Sequence, residues 1–141
     1  MDEMPADYWL GIDQFNQREF YACHDTLEAV WINAPPADKN FFQGILQIAV
    51  ALYHLGNENQ RGALILLGEG IHRLRSYPED YGAIAVDSLV EATVTLLKQL
   101  QVATPTQIQA IAQQLQAGHT TLHTDDGTIL TLPVIQRIEN E

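Results

Sequence analysis

In FFQGILQIAVALYHLGNENQRGALILL, residues 41–67, two helices and the turn between them can be read together. Phe41, Phe42, Ile45, Leu46, Ile48, Ala49, Val50, Leu52 and Tyr53 cover nearly every side of a helix expected over residues 39–55. A helix that is apolar all round is normally central to its domain. Gly56 suits a left-handed helix stop, and Asn57 followed three residues later by Gln60 has capping-box spacing. A further helix is therefore expected over residues 58–75. Helices joined by so short a turn lie antiparallel, so the fold class is all-α, a compact bundle built from helical hairpins.

On the N-terminal side, Tyr8, Trp9, Ile12 and Phe15 recur at helical spacing and predict a helix over residues 6–15. Asn16 with Glu19 reads as a capping box for a second helix, over residues 17–32, which Pro35 and Pro36 prevent from continuing. On the C-terminal side, Ser88 with Glu91 predicts a cap for a fifth helix reaching residue 102. Thr104, Pro105 and Gln107 supply an N-cap, an N1 proline and an N3 amide for a sixth, stopped at Gly118. In TTLHTDDGTILTLP the Asp126-Gly127 pair between β-rich stretches predicts a two-residue β-hairpin. A lone hairpin is marginal in water, so it must pack on the helices or on another chain. FNQREFYAC and LGNENQRGA form an internal echo roughly 41 residues apart, each an Asn-capped turn between helices.

Composition limits the functions open to such a bundle. The 141 residues are 46% apolar and 18% charged, with mean hydropathy −0.10. A chain of this size can hide about two-thirds of its surface around one core, so residues 1–141 are expected to form a single domain. Seven Lys and Arg against 18 Asp and Glu give a formal charge of −11, which disfavours nucleic acid and anionic membranes as partners. One cysteine leaves no internal disulfide and no Cys-x-x-Cys motif. The start, MDEMPADYWLG, lacks the basic and apolar regions of a secretory signal, so the expected place is the cytoplasm. No Gly-rich phosphate loop, G-x-S-x-G elbow or H-E-x-x-H is present.

The candidate site comes from polar residues on apolar helices. Tyr21, His24, Glu28 and Trp31 share one stripe of the second helix, with Asp25 beside it, and Gln43, Gln47 and His54 share a stripe of the third. Counted from the proline turn at 1.5 Å per residue, His24 and Glu28 lie level with Gln47 and Gln43, while His54, about 22 Å down, should sit near Tyr21 and Arg18. The expected site is a polar pocket between helices 2 and 3 made by Tyr21, His24, Asp25, Glu28, Trp31, Gln43, Gln47, His54 and Asn57. Three readings stay open: a hydrogen-bond network that fixes helix register, a small-ligand site, or a divalent metal site using His24 and Glu28. Tyr21 and Trp31 are expected as core aromatics, Asn57 first as turn chemistry, and His119 and His123 as solvent-facing. Cys23 is poorly aligned for deprotonation by His24, because adjacent helical residues diverge by about 100°.

FYACHDTLEAVW, FFQGILQIAVALYHLGNENQRGALILL and YPEDYGAIAVDSLVEA, taken in order, resemble the hallmark segments of the domain-of-unknown-function 309 family over about residues 12–100. The family is small, all-helical and found in prokaryotes and plastids, with no established activity. Its motif, E-x-H-E-x-L-E-x-x-W, falls on Ala22, His24, Asp25, Glu28 and Trp31, and later positions fall on Gln43, Gly44, Gln47, His54, Gly56, Asn57, Gly62 and Ala63. Ala22 stands where the family has an acidic residue, and Asp25 shortens the usual Glu. The segment 104–135 lies outside the resemblance. The resulting expectation is a non-enzymatic module, without a cofactor, that binds an unknown protein or small molecule. A homodimer through the C-terminal hairpin is a further expectation. The alternative is a metal-assisted hydrolase using His24, Asp25 and Glu28.

Overall fold

The computed structural model describes residues 4–139. Its helices are α1 (Ala6–Asn16), α2 (Phe20–Ile32), α3 (Pro36–Gly56), α4 (Gln60–Leu74), α5 (Val86–Gln101) and α6 (Pro105–Gln116), followed by strands β1 (Thr121–His123) and β2 (Ile129–Thr131). A single 3₁₀ turn, Tyr81–Ala83, precedes α5. The all-α bundle with a C-terminal hairpin is as the sequence leads one to expect. None of the described helices is long and apolar enough to cross a membrane.

The longest helix, α3, is the central rod, packed against α2, α4 and α6. Phe41, Ile45, Ile48, Ala49, Ala51, Leu52 and Leu55 are all sealed from solvent along it. It begins earlier than residue 39 because Pro36 occupies its first turn, where the missing N–H costs nothing. At the α3–α4 crossing a Cβ on Gly70 would lie 2.8 Å from the Gly44 carbonyl oxygen. Only hydrogen at that position permits so close an approach of two backbones.

The internal echo is a shared turn. Arg18 after α1 and Glu58 after α3 both adopt left-handed backbone, at φ 67° and 62°. In each, two N–H groups close back onto the helix: Glu19 N to Gln14 O (2.9 Å) with Arg18 N to Phe15 O (3.1 Å), and Asn59 N to His54 O (2.8 Å) with Glu58 N to Leu55 O (3.1 Å). These are Schellman closures made without glycine. Neither Gly56 nor Asn57 therefore has the role expected of it. Gly56 stays helical, and the cap of α4 is Asn59, whose side chain accepts from Gly62 N at 3.0 Å.

Two other capping boxes are not formed. Asn16 lies within α1, and its side chain is spent on Ile135 instead of on α2. Ser88 falls inside α5, whose N-cap is Ala85. There the Ala85 and Val86 N–H groups donate to Gln136 O and Glu79 O, both at 2.9 Å. The Thr104/Gln107 box is present with both of its hydrogen bonds, and Gly118 stops α6 at φ 88°.

The hairpin differs from the two-residue expectation. Five residues, 124–128, join β1 to β2, with a turn closed by Gly127 N on Thr124 O and Gly127 at φ 87°. It packs on its own helices: Leu122 and Leu130 are buried, and Gln114 brackets His123 by accepting from its N–H (2.8 Å) and donating to its carbonyl (2.7 Å). Asp126 accepts from the Thr124 hydroxyl and from Thr128 N–H, and these bonds hold its carboxyl down at about 2. Because the folded form is the more acidic one, this contribution is complete above the ordinary carboxyl range and fades as pH falls through about 2. The Thr128 amide resonance should therefore titrate with a midpoint near 2, and Asp126→Ala should abolish that step.

Candidate functional site

On α2, His24 is held by its own helix. Its Nδ1 lies 3.2 Å from Asp25 Oδ1 and its Nε2 lies 3.2 Å from Glu28 Oε2. Both carboxylates are largely exposed, so the trio is a solvated face and not the floor of a pocket. Among the described residues no group of three or more His, Cys, Asp or Glu side chains is placed to hold a metal ion. With both ring nitrogens taken up by neighbouring carboxylates, the arrangement gives the hydrolase alternative no support. Cys23 is sealed in the core, and burial pushes its thiol up to about 12, which leaves no thiolate to attack a substrate.

Gln47, expected opposite His24, turns to α4 instead. Gln47 is buried against α4, where its Nε2 donates to Glu69 Oε1 (3.0 Å) and its Oε1 accepts from Arg73 Nε (3.1 Å). Arg73 donates in addition to Asn40 Oδ1. The expected facing of His24 with Gln47 across α2 and α3 is thus corrected. Gln47 lies one turn along from Gly44 and therefore shares the face that meets α4. The resulting Glu69–Gln47–Arg73–Asn40 network satisfies a buried amide and borders a groove of about 570 Å³. The sequence reading missed Glu69 and Arg73. The signal available for them was the matched spacing of Gly44 with Gln47 and Gly70 with Arg73.

The other expected residues are scattered. His54 sits at the end of α3, with Nδ1 3.4 Å from Asn59 Nδ2, beside α4 and not beside Tyr21. Its neighbour Tyr53 meets Tyr21 instead, with ring centroids 5.3 Å apart. Tyr21 is 59% exposed and Tyr53 41%, so Tyr21 is not a core aromatic. Trp31 packs partly against the core and carries Lys39 Nζ 4.8 Å above its ring. The same ammonium accepts no bond but donates to the Trp31 and Ile32 carbonyls, closing the C-terminus of α2. Asn57 is exposed on the α3–α4 turn, and His119 and His123 face solvent as expected.

A cleft between α2 and α3 does exist, nearer the start of α2 than expected. It encloses about 260 Å³ and is lined by Arg18, Glu19, Phe20, Tyr21 and Ala22, by Leu52, Tyr53 and Gly56, and by Leu115 and Gln116 of α6. Gln116 Nε2 donates to Gly56 O (2.8 Å) and closes one wall. Arg18 is half-buried, and NH1 donates to Pro133 O (2.9 Å), while Nε is buried without a partner among the described residues. Burial lowers its pKa, and among the described residues no carboxylate lies within 4.0 Å of its guanidinium.

The fold and this cleft define a small protein of paired helical hairpins. Residues 8–66, from α1 into α4, match the family model described as Domain of unknown function (DUF309). The family resemblance read from the motifs is thus shown over that stretch. An uncharacterized protein, YpuF of Bacillus subtilis (strain 168), is 38% identical over 60 residues, which are 42% of this chain and 34% of that one. The chain spans about a third of the length of that curated relative. No solved structure matches.

Proposed function

We propose that the protein is a non-enzymatic binding module, acting in the cytoplasm, whose cleft between α2 and α3 takes a flat group bearing a negative charge. The observation that carries this reading is Arg18, a half-buried cation with no carboxylate within 4.0 Å among the described residues, in a chain of net charge −11. Withdrawing a cation from water without a counter-charge is costly, so an anion that supplies one is favoured. Ala22 lines the same cleft where the family resemblance expects an acidic side chain, so that position offers Arg18 no internal partner. Tyr21 and Tyr53 present exposed ring faces at the rim. A volume of about 260 Å³ is just below the roughly 300 Å³ at which small-molecule sites begin, which suits one side chain or a fragment and not a nucleotide.

Benzoate is a direct probe. Titrated into the protein and followed by amide NMR, it should shift residues 18–22, Tyr53 and Gln116, whereas benzyl alcohol should not. A charged hydrogen bond contributes about 1.5–3 kcal/mol, so Arg18→Gln should weaken benzoate binding by about 10- to 100-fold. Shifts spread over the surface, or an affinity that Arg18→Gln leaves unchanged, overturn the reading.

A further inference from the structure

Beyond β2 the described residues form no helix or strand, yet residues 132–138 are held to the bundle through their backbone. The Asn16 amide brackets Ile135, donating from Nδ2 to its carbonyl (2.9 Å) and accepting from its N–H at Oδ1 (2.8 Å). Arg18 donates to Pro133 O (2.9 Å), Ala85 N–H to Gln136 O (2.9 Å), and Ile138 N–H to Ala83 O (2.8 Å). One side-chain amide thus makes the pair of bonds that an adjacent antiparallel strand would make.

The side chains divide in a way that an ordinary loop does not need. Leu132 and Ile135 are buried, Val134 is exposed, and the Arg137 guanidinium lies 4.0 Å from the centre of the Trp9 ring. Backbone bonds that ignore side-chain identity, with two apolar anchors and one cation for selectivity, are the anatomy of a site that receives an extended peptide. The receiving surface comes from elements N-terminal to the segment: Trp9, Asn16 and Arg18 belong to α1 and its turn, and residues 83–85 precede α5.

We infer that this surface is a binding site for an extended peptide of the pattern Leu-x-x-Ile-x-Arg, and that residues 132–138 are its tethered occupant. The inference does not rest on an anion in the cleft, since Arg18 acts here through one N–H on a backbone carbonyl. A tethered ligand competes at an effective concentration in the millimolar range. Free peptide therefore enters only where the tether has been weakened.

The test uses the full chain carrying Ile135→Asp and Arg137→Glu, and a fluorescent peptide of residues 132–139, LPVIQRIE. The weakened chain should bind the peptide with one-to-one stoichiometry and gain thermal stability, whereas the unaltered chain takes up at least tenfold less at the same concentration. Adding Asn16→Ala should reduce binding at least tenfold. A folded, weakened chain that ignores the peptide, or binding indifferent to Asn16→Ala, overturns the site. Hydrogen exchange on the unaltered chain decides the matter should the weakened chain fail to fold. The Ile135 and Ile138 amides should open together, at least a hundredfold more often than those of Ile48 and Ala49 in α3. Exchange of all four only through global unfolding overturns the proposal.

Discussion

Replacing Phe41 with alanine is expected to destabilise the protein by about 3–5 kcal/mol, the usual range for deleting a sealed aromatic ring. Phe41 is fully buried, and its ring centroid lies 4.8 Å from that of Tyr81, 5.3 Å from Tyr77, 5.8 Å from Phe42 and 6.1 Å from Tyr8. The ring also fills the space beside Gly82, where the backbone is left-handed at φ 65° and Tyr8 donates to the Gly82 carbonyl at 3.0 Å. Its removal therefore loosens α1, α3 and the turn before α5 together. Domains of this kind have about 5–15 kcal/mol in all, so the loss is a large share. Urea unfolding should show a lower midpoint with an unchanged slope, and Tm should fall by roughly 10 °C or more. A loss below about 1 kcal/mol would mean that the five rings do not pack as described.

The second large effect is a contrast between two glycines of one helix. Gly70→Ala places a methyl 2.8 Å from the Gly44 carbonyl oxygen and 2.8 Å from Ile48 Cγ1, and neither group is a flexible chain end. Overpacking of this sort costs about 1–3 kcal/mol, and here it must move α3 away from α4. Gly68→Ala, two residues earlier, meets nothing within 4 Å. It should stabilise the helix by about 0.5–1 kcal/mol, because alanine surrenders less backbone freedom than glycine. Thermal unfolding of the two variants should shift in opposite directions. Equal shifts would show that the crossing is not held by backbone proximity.

These two glycines also explain how much of the molecule was legible in its sequence. Where structure depends on neighbours in the chain, the reading held: Thr104, Pro105 and Gln107 form their cap from atoms three residues apart, and Gly118 stops α6. Asn16 failed because its partner, Ile135, is 119 residues away, and no local pattern announces it. Asn57 failed by two residues because a Schellman closure at Glu58 carries the turn on to Asn59.

The candidate site suffered from a different ambiguity. A helix as apolar all round as α3 has no single buried stripe from which to orient it, so the sequence could not say which neighbour Gln47 addresses. Axial arithmetic placed His24 and Gln47 at one height, and height alone does not fix rotation about the axis. Gly44 did carry the missing angle, since a small residue marks where the other helix comes closest. The cleft of the structure lies by the start of α2, where Tyr53, and not His54, turns toward Tyr21.

The bracket between Asn16 and Ile135 bears on how the protein is made. Ribosomes add about 5–20 residues per second, so Asn16 emerges many seconds before the residue that will occupy its amide. During that interval α1 and α2 can pair while the edge of α1 stays open to solvent and to other nascent chains. The flank of α1 is thus filled late, by a segment made more than a hundred residues after the amide that brackets it.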